Sequence, residues 1–597
     1  MIMDYLQVKS AYQMKVVPQK REITFLSKQT GIAQLWRWNE QWQTSEQVTF
    51  LPDRVVEVEH SPCGTKTLVG MDNKGDERQQ FFLLKDNGAV VKPLTDAPEY
   101  FHYFGGWSSC GEKIAWSSNR RHPRCFDIFV QDVESGVYEE VYRYDGRCDP
   151  IGWLPNGTGL IFSVQETNID NALYLLDLRT KQAEKLLICE KQARFHSLQL
   201  TKDGQVGFVV TDRDDNTMAL CRFSLSDGAM EKFAHVEKWD IEEVKLSPDE
   251  SWLAFTINEG GRSTLALYSL ADHRWENAEG VPSGVIQSVS WLTEDQLAFT
   301  LKSPILPGDV WTYTLSEKSS TRVTSIGRAE AIEETLVDPE MCTFTSFDGL
   351  EVPYFLYAKE KTGKNPVVVY VHGGPESQIR AEYHPVFQYL ANQGFTVVAP
   401  NVRGSMGYGR QYVQLDDRRK RMDSVADLAW LVKDLSKKET VDPEAIGIMG
   451  RSYGGFMVLA ALTHYPDLWA AGVDIVGISH FRTFLENTGE WRRKLREVEY
   501  GYLGEDNDFF EDIAPLNHSD KIKAPLLVFH GRNDTRVPVS EAEQLVADMK
   551  YRGQQVDLHI FEDEGHFTEK LDNHITLNQK ITQFFLYHLN HSKSEKE

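Results

Sequence analysis

The sequence predicts two domains of different class, an N-terminal β-propeller of about seven blades and a C-terminal α/β domain whose mostly parallel sheet carries helices on both faces. Three observations lead there. Short β-rich runs opened by turn residues recur every 46 or 47 residues through the first half. Beyond about residue 340, buried-looking strands alternate with longer helical patterns. At 597 residues and 41% hydrophobic, the chain is also far too long for one core.

The repeat is read from "SPCGTKTLVG" at Gly64, "SSCGEKIAWSS" at Gly111, "LPNGTGLIFSV" at Gly157, "TKDGQVGFVV" at Gly204 and "SPDESWLAFT" at Glu250. Each is followed by a second alternating segment such as "FDIFVQDVESG" or "LALYSLADHRW". Several short strands per unit at this period indicate blades and not a helical solenoid. The flanking "REITFLSKQTGIAQLWRW" and "QSVSWLTEDQLAFTLKS" fit the same template, which brings the count to seven. The predicted division is 1–12 as an N-terminal segment, 13–335 as the propeller and 336–597 as the α/β domain.

Composition narrows the partners. Lys+Arg 64 against Asp+Glu 88 leaves a net charge of −24, a surface that repels phosphate backbones and anionic membranes. No stretch reaches the ~20 apolar residues of a membrane span. The opening "MIMDYLQVKSAYQMK" lacks a basic start followed by an apolar run, so no secretory leader is expected. Seven cysteines without a C-x-x-C pair suit reduced thiols in a cytoplasm and give no zinc site. The last is Cys342, so the chemistry of the C-terminal half beyond it does not use a thiol. Neither nucleic acid nor membrane is expected as a partner, and homodimers or larger homo-oligomers stay open.

In open parallel sheets ligands bind beyond the carboxyl ends of the strands, which directs attention to residues just after each β run. "AIGIMGRSYGGFMVLAALTHY" places Ser452 in a Gly-x-Ser-x-Gly turn between a strand and a helix. Such an elbow needs glycines because the backbone is strained and the helix approaches the strand closely. A serine hydroxyl needs a base, itself held by a carboxylate. His566 follows "VDLHIF" in the loop "EDEGHF", and Asp534 follows "PLLVFHG" in "RNDTRVP". The order Ser452, Asp534, His566 is that of an α/β-hydrolase. His530 and His559 compete less well because they lie inside strand runs, and Asp563 and Glu564 read as solubility charges of the loop. "VYVHGGPESQ" then supplies oxyanion donors, and the hydrolase pattern assigns the backbone N–H groups of Gly374 and Tyr453.

With "HGGPESQ", "NVRGSMGYG", "DPEAIGIMGRSYGGF", "FHGRNDTRVPVSEAEQL" and "DEGHF" spread over most of residues 340–570, the chain resembles the prolyl oligopeptidase family of serine peptidases, most of all its acylaminoacyl-peptidase branch. The resemblance implies Ser452, Asp534 and His566 as triad and Gly374 with Tyr453 as oxyanion hole. It implies that Arg536 binds a substrate carbonyl or carboxylate, the alternative being a salt bridge to a nearby acid. It places "ENTGEWRRKL" at the first specificity pocket, so Trp491 and Leu495 are either its apolar walls or core residues. It also implies that the propeller caps the site and admits short peptides, and that residues 1–12 pack on the hydrolase half.

One departure stands out. Dipeptidyl-peptidase members hold the substrate amine with paired glutamates from a propeller insertion, whereas Glu242 and Glu243 in "KWDIEEVKLSPDE" fall in regular blade register and read as strand-edge charges. The expected activity is therefore a cytosolic serine peptidase releasing N-acylated residues from short peptides through an acyl-enzyme, with no metal or organic cofactor. The alternatives are a carboxylesterase using the same triad, a carboxypeptidase-like or aminopeptidase-like oligopeptidase, and a propeller interaction protein with an inactive hydrolase half.

Overall fold

A computed structural model describes residues 1–590 except 42, 188, 190 and 360–362. Among them the first half forms seven four-stranded antiparallel sheets, each built from one contiguous stretch, beginning with Tyr12–Val16 and ending with Ser319–Arg322. The turn that marks the repeat has a backbone reason. Gly64, Gly111, Gly157, Gly204 and Glu250 all adopt left-handed φ, between 61° and 72°. At Gly64 a Cβ would stand 2.1 Å from the Pro18 carbonyl oxygen, so glycine is required there. Glu250 tolerates the same conformation at a cost of about 1 kcal/mol, and its carboxylate accepts the Lys202 N–H at 2.5 Å.

Neighbouring blades are joined by buried side chains and by tryptophans near the ends of the inner strands. Trp153 Nε1 donates to the Gly106 carbonyl at 3.0 Å, and Trp291 Nε1 donates to that of Lys245 at 3.1 Å. No strand is shared between the first and last blades among the described residues. They meet through Ala11, Met14, Ile23, Phe25 and Trp38 on one side and Ala298 and Val310 on the other, plus one hydrogen bond from Ala11 N–H to the Gly308 carbonyl at 3.0 Å.

The second half is one eight-stranded sheet. Its order is Glu340–Thr345, Glu351–Tyr357, Thr396–Pro400, Asn365–Val371, Val441–Arg451, Ala471–Ile475, Leu526–Gly531, Val556–Phe561. The pairs from Thr396–Pro400 onward are parallel, and two apolar layers of helices cover the two faces. Val441–Arg451 is central, which puts the residue after it at the middle of the carboxyl edge.

The helix Ile2–Leu6 packs on the helix Pro385–Asn392 of the hydrolase half. Tyr5 meets Tyr389 edge-on at 5.7 Å, its hydroxyl lies 3.0 Å from Thr335 Oγ1, and its carbonyl accepts the Tyr383 hydroxyl at 2.8 Å. Tyr5→Ala should lower stability by about 3 kcal/mol and Tyr5→Phe by about 1 kcal/mol, read from urea unfolding midpoints. Equal midpoints for all three proteins would show that this helix does not hold the two ends of the propeller.

Candidate active site

Ser452, Asp534 and His566 leave the same edge of the sheet. They follow three parallel strands, Val441–Arg451, Leu526–Gly531 and Val556–Phe561. Ser452 has φ 60° and ψ −121°, a conformation that costs a side-chain-bearing residue on the order of 1–3 kcal/mol. Its surroundings impose it. The Ser452 N–H donates to the Ile475 carbonyl at 2.8 Å, and the helix Tyr453–His464 begins at the next residue. A Cβ on Gly454 would stand 2.1 Å from the Val371 carbonyl oxygen, and one on Gly450 2.3 Å from that of Gly454. Side chains at either position would drive the helix off the sheet.

Asp534 is buried and fully engaged. Oδ2 accepts His566 Nδ1 at 2.7 Å, and Oδ1 accepts the N–H groups of Arg536 and Val537 at 2.8 and 3.0 Å. With the proton held on Nδ1, the second ring nitrogen of His566 is left as a base. Burial lowers the His566 pKa and the charge of Asp534 opposes this, with a net fall. Burial alone would raise Asp534, but the His566 charge and hydrogen bond outweigh it and hold the carboxylate below its ordinary range. His566 is also tied to the strand Val441–Arg451, because Arg451 Nη1 donates to the His566 carbonyl at 2.8 Å.

The segment His372-Gly373-Gly374 follows Asn365–Val371 and runs past the elbow. A Cβ on Gly373 would lie 3.2 Å from Ser452 Cβ, and Gly374 takes φ 131°. The Gly374 carbonyl is fixed by the Tyr500 hydroxyl at 3.1 Å. The Tyr453 ring is buried, with its hydroxyl bonded to Arg421, Asp416 and Ser424 at 3.0, 3.1 and 2.9 Å, which anchors the first residue of the helix. Asp534 and His566 are thus bonded to each other, and the glycine segment passes beside Ser452 and the start of the helix Tyr453–His464.

Other expectations need revision. Arg536 pairs with an acid of the other domain: Nε donates to both Glu77 oxygens at 3.0 and 2.9 Å, and Nη2 also reaches Oε1. Glu77 comes from the propeller. The salt bridge expected as the alternative is therefore present, and its acid comes from the other domain. Glu564 is no solubility charge. It is buried and accepts the N–H groups of Glu569 and Lys570 and the Asn573 amide, tying the His566 loop to the helix Leu571–Asn590. Glu242 is more than a strand-edge charge, since both its oxygens bind Arg380 Nη1 of the hydrolase half at 2.9 Å. Glu243 accepts the Val289 N–H at 3.2 Å within the propeller.

Trp491 and Leu495 lie on the helix Glu490–Tyr500 and line a cleft of about 570 Å³ between the domains. Trp491 packs on Phe101 at 5.4 Å and Phe126 at 6.1 Å, with the Arg147 guanidinium 5.1 Å from its ring. Sequence reading missed Glu77, which sits with φ 60° in residues 72–79, the longest connection between second and third blade strands. That length was the available signal. Gly75 of the same loop abuts Gly565, where a Cβ would stand 2.1 Å from the Gly75 carbonyl oxygen. Thr535 Oγ1 donates to Glu77 at 2.9 Å. Asn168, at the tip of another blade, donates to Glu376 at 2.6 Å and Glu499 at 2.7 Å, again without a local sequence signal.

Beneath the elbow, Asp416, Asp417 and Glu499 gather acidic oxygens within 4.8 Å of one another. The fully buried Arg421 guanidinium already pairs with Asp416 and Glu499, which satisfies the charge a cation would otherwise supply.

Residues 381–592 match the model of the prolyl oligopeptidase family, Peptidase_S9. The chain is 34% identical over 535 residues to dipeptidyl aminopeptidase BIII of Pseudoxanthomonas mexicana, covering 86% of this chain and 77% of the relative. Among solved structures, a puromycin-hydrolyzing peptidase of Mycobacterium tuberculosis superposes with TM-score 0.85 at 17% identity, covering 98% of this chain and 95% of that one. The Pyrococcus horikoshii acylaminoacyl peptidase gives TM-score 0.75 at 19% identity, with 98% and 96% covered. At these identities the two structures establish the likeness of fold.

Because the base acts when unprotonated and burial depresses its pKa, the acid limb of kcat/KM against pH should fall below the ordinary histidine value of about 6.5. Activity then rises as pH climbs through that limb. Asp534→Asn should cut kcat by roughly 10⁴ through loss of the correct tautomer. An acid limb above 7 in the wild-type profile would contradict the assignment of His566.

Proposed function

The chain belongs to the prolyl oligopeptidase family of serine peptidases, and from that premise we propose that it releases N-terminal dipeptides from short peptides with a free α-amine. One observation carries this reading: the propeller places the Glu77 carboxylate against Arg536 and Thr535, directly after the catalytic acid. Burial opposes the charge of Glu77, but the hydrogen bond and charge of Arg536 outweigh it and keep it ionised. A carboxylate and a guanidinium side by side match the amine and the first carbonyl of a peptide's N-terminal residue. The likeness to a dipeptidyl aminopeptidase, over 86% of this chain and 77% of that one, supports the same reading.

In this scheme His566 takes the Ser452 hydroxyl proton as the oxygen attacks the peptide carbonyl, and Asp534 holds the imidazole and stabilises its cation. The Gly374 and Tyr453 N–H groups stabilise the oxyanion, each worth roughly 3–4 kcal/mol of barrier. His566 returns the proton to the leaving amine, and water then hydrolyses the acyl-enzyme by the same route. Carboxyl-end recognition by Arg536 is disfavoured because Glu77 already neutralises it. Release of N-acylated residues is the second reading. It is favoured by the closed Glu77–Arg536 pair, which as a neutral unit offers no unmatched carboxylate to an amine.

Dipeptidyl p-nitroanilides with free and acetylated amines separate the two. The dipeptide reading expects kcat/KM at least tenfold higher for the free amine, and loss of that preference in Glu77→Gln. Faster turnover of the acetylated series would favour acyl release. Indifference to the amine with rapid ester hydrolysis would favour an esterase.

A further inference from the structure

The helix Glu490–Tyr500 presents Arg492, Arg496 and Tyr500 at i, i+4 and i+8, so the three share one face. That face meets the segment following His372 that passes beside Ser452. Tyr500 holds the Gly374 carbonyl, Arg496 forks onto both Glu376 oxygens at 3.0 and 3.1 Å, and Arg492 lies in the electrostatic field of Arg536 and Glu77. Two of the three arginines in this group have carboxylate partners, Glu376 for Arg496 and Glu77 for Arg536. Arg492 has none. It makes no ion pair with any described residue, and its Nη1 is buried without a hydrogen-bond partner among them. Burial, followed by the charges of Arg496 and Arg536, lowers its pKa to about 10.

An unpaired guanidinium beside two like charges is costly to keep out of water. The chain is not short of acids, with 88 Asp and Glu against 64 Lys and Arg. The residue as a whole is only half-buried. We propose that Arg492 is the carboxylate-binding residue of the substrate site, and that the enzyme prefers peptides carrying a carboxylate close to the cleaved bond. An acidic side chain within the released dipeptide and the terminal carboxyl of a very short peptide present the same chemistry. A planar fork bonds either one through two parallel N–H donors. The inference rests on the peptidase reading above and adds a substrate class to it.

The test compares p-nitroanilides of dipeptides with Glu or Gln at either position, and tripeptides with a free or amidated C-terminus, on wild type, Arg492→Gln and Arg492→Lys. The readout is the ratio of kcat/KM within each matched pair. Wild type should favour the carboxylate at least tenfold in one arm, and the arm that responds identifies the source. Arg492→Gln should bring that ratio to about one, with Arg492→Lys between, and Arg492→Gln should melt no lower than wild type. Ratios near one in wild type, a ratio that survives in Arg492→Gln, or a large fall in melting temperature from losing the guanidinium would each overturn the proposal. If none of the p-nitroanilides or tripeptides is cleaved, the peptidase reading fails by itself. Calorimetric titration of wild type with the dipeptides Glu-Ala and Gln-Ala then decides the carboxylate claim, which equal affinities would refute.

Discussion

The contact on which the site depends is steric: the Gly454 α-carbon against the Val371 carbonyl, with no room for a methyl group between them. It brings the first turn of the helix Tyr453–His464 against the end of the neighbouring strand. The left-handed backbone of Ser452 follows, because the chain has one residue in which to change from strand to helix. The same closeness lays Gly373 along Ser452, so the serine and the glycine segment are positioned by one packing decision. A flexible loop in either place would leave the reacting groups to find each other at an entropic cost.

Around this steric centre lies a buried electrostatic frame. Arg421 joins Asp416 to Glu499, Arg496 holds Glu376, and Asn168 of the propeller bridges Glu376 and Glu499. Buried pairs of this kind add little net stability, but removing one member costs about 3–5 kcal/mol because the other charge is stranded. Their effect here is specificity of position. The hydroxyl of Tyr453 and the helix bearing Tyr500 are held by groups that tolerate one arrangement, and one of those groups belongs to the other domain. Docking of the propeller and the position of the segment around Gly374 and Glu376 are therefore coupled.

Legibility in the sequence followed the range of the interaction. Blade turns could be read because each is a local backbone demand, met by glycine four times and by Glu250 once. Ser452, Asp534 and His566 could be read because each stands immediately after an apolar strand and the sheet brings strand ends together. Arg536 was legible as a residue but not in its bonding, because its partner Glu77 lies 459 positions away. Glu564 looked like a charge in a polar loop, and only the start of the following helix, with its unpaired N–H groups, explains its burial. Arg492 was invisible for the opposite reason, since a missing partner leaves no pattern.

The ring of blades has one joint that the chain does not cross, between the last blade and the first. Both free ends of that joint run to the hydrolase half, where Tyr5, Ala329 and Ile332 share a small core and Tyr5 reaches Thr335. The catalytic domain is thus the clasp of the necklace it wears. The first and last blades also meet directly through Met14, Phe25 and Val310, so this clasp reinforces an apolar seam.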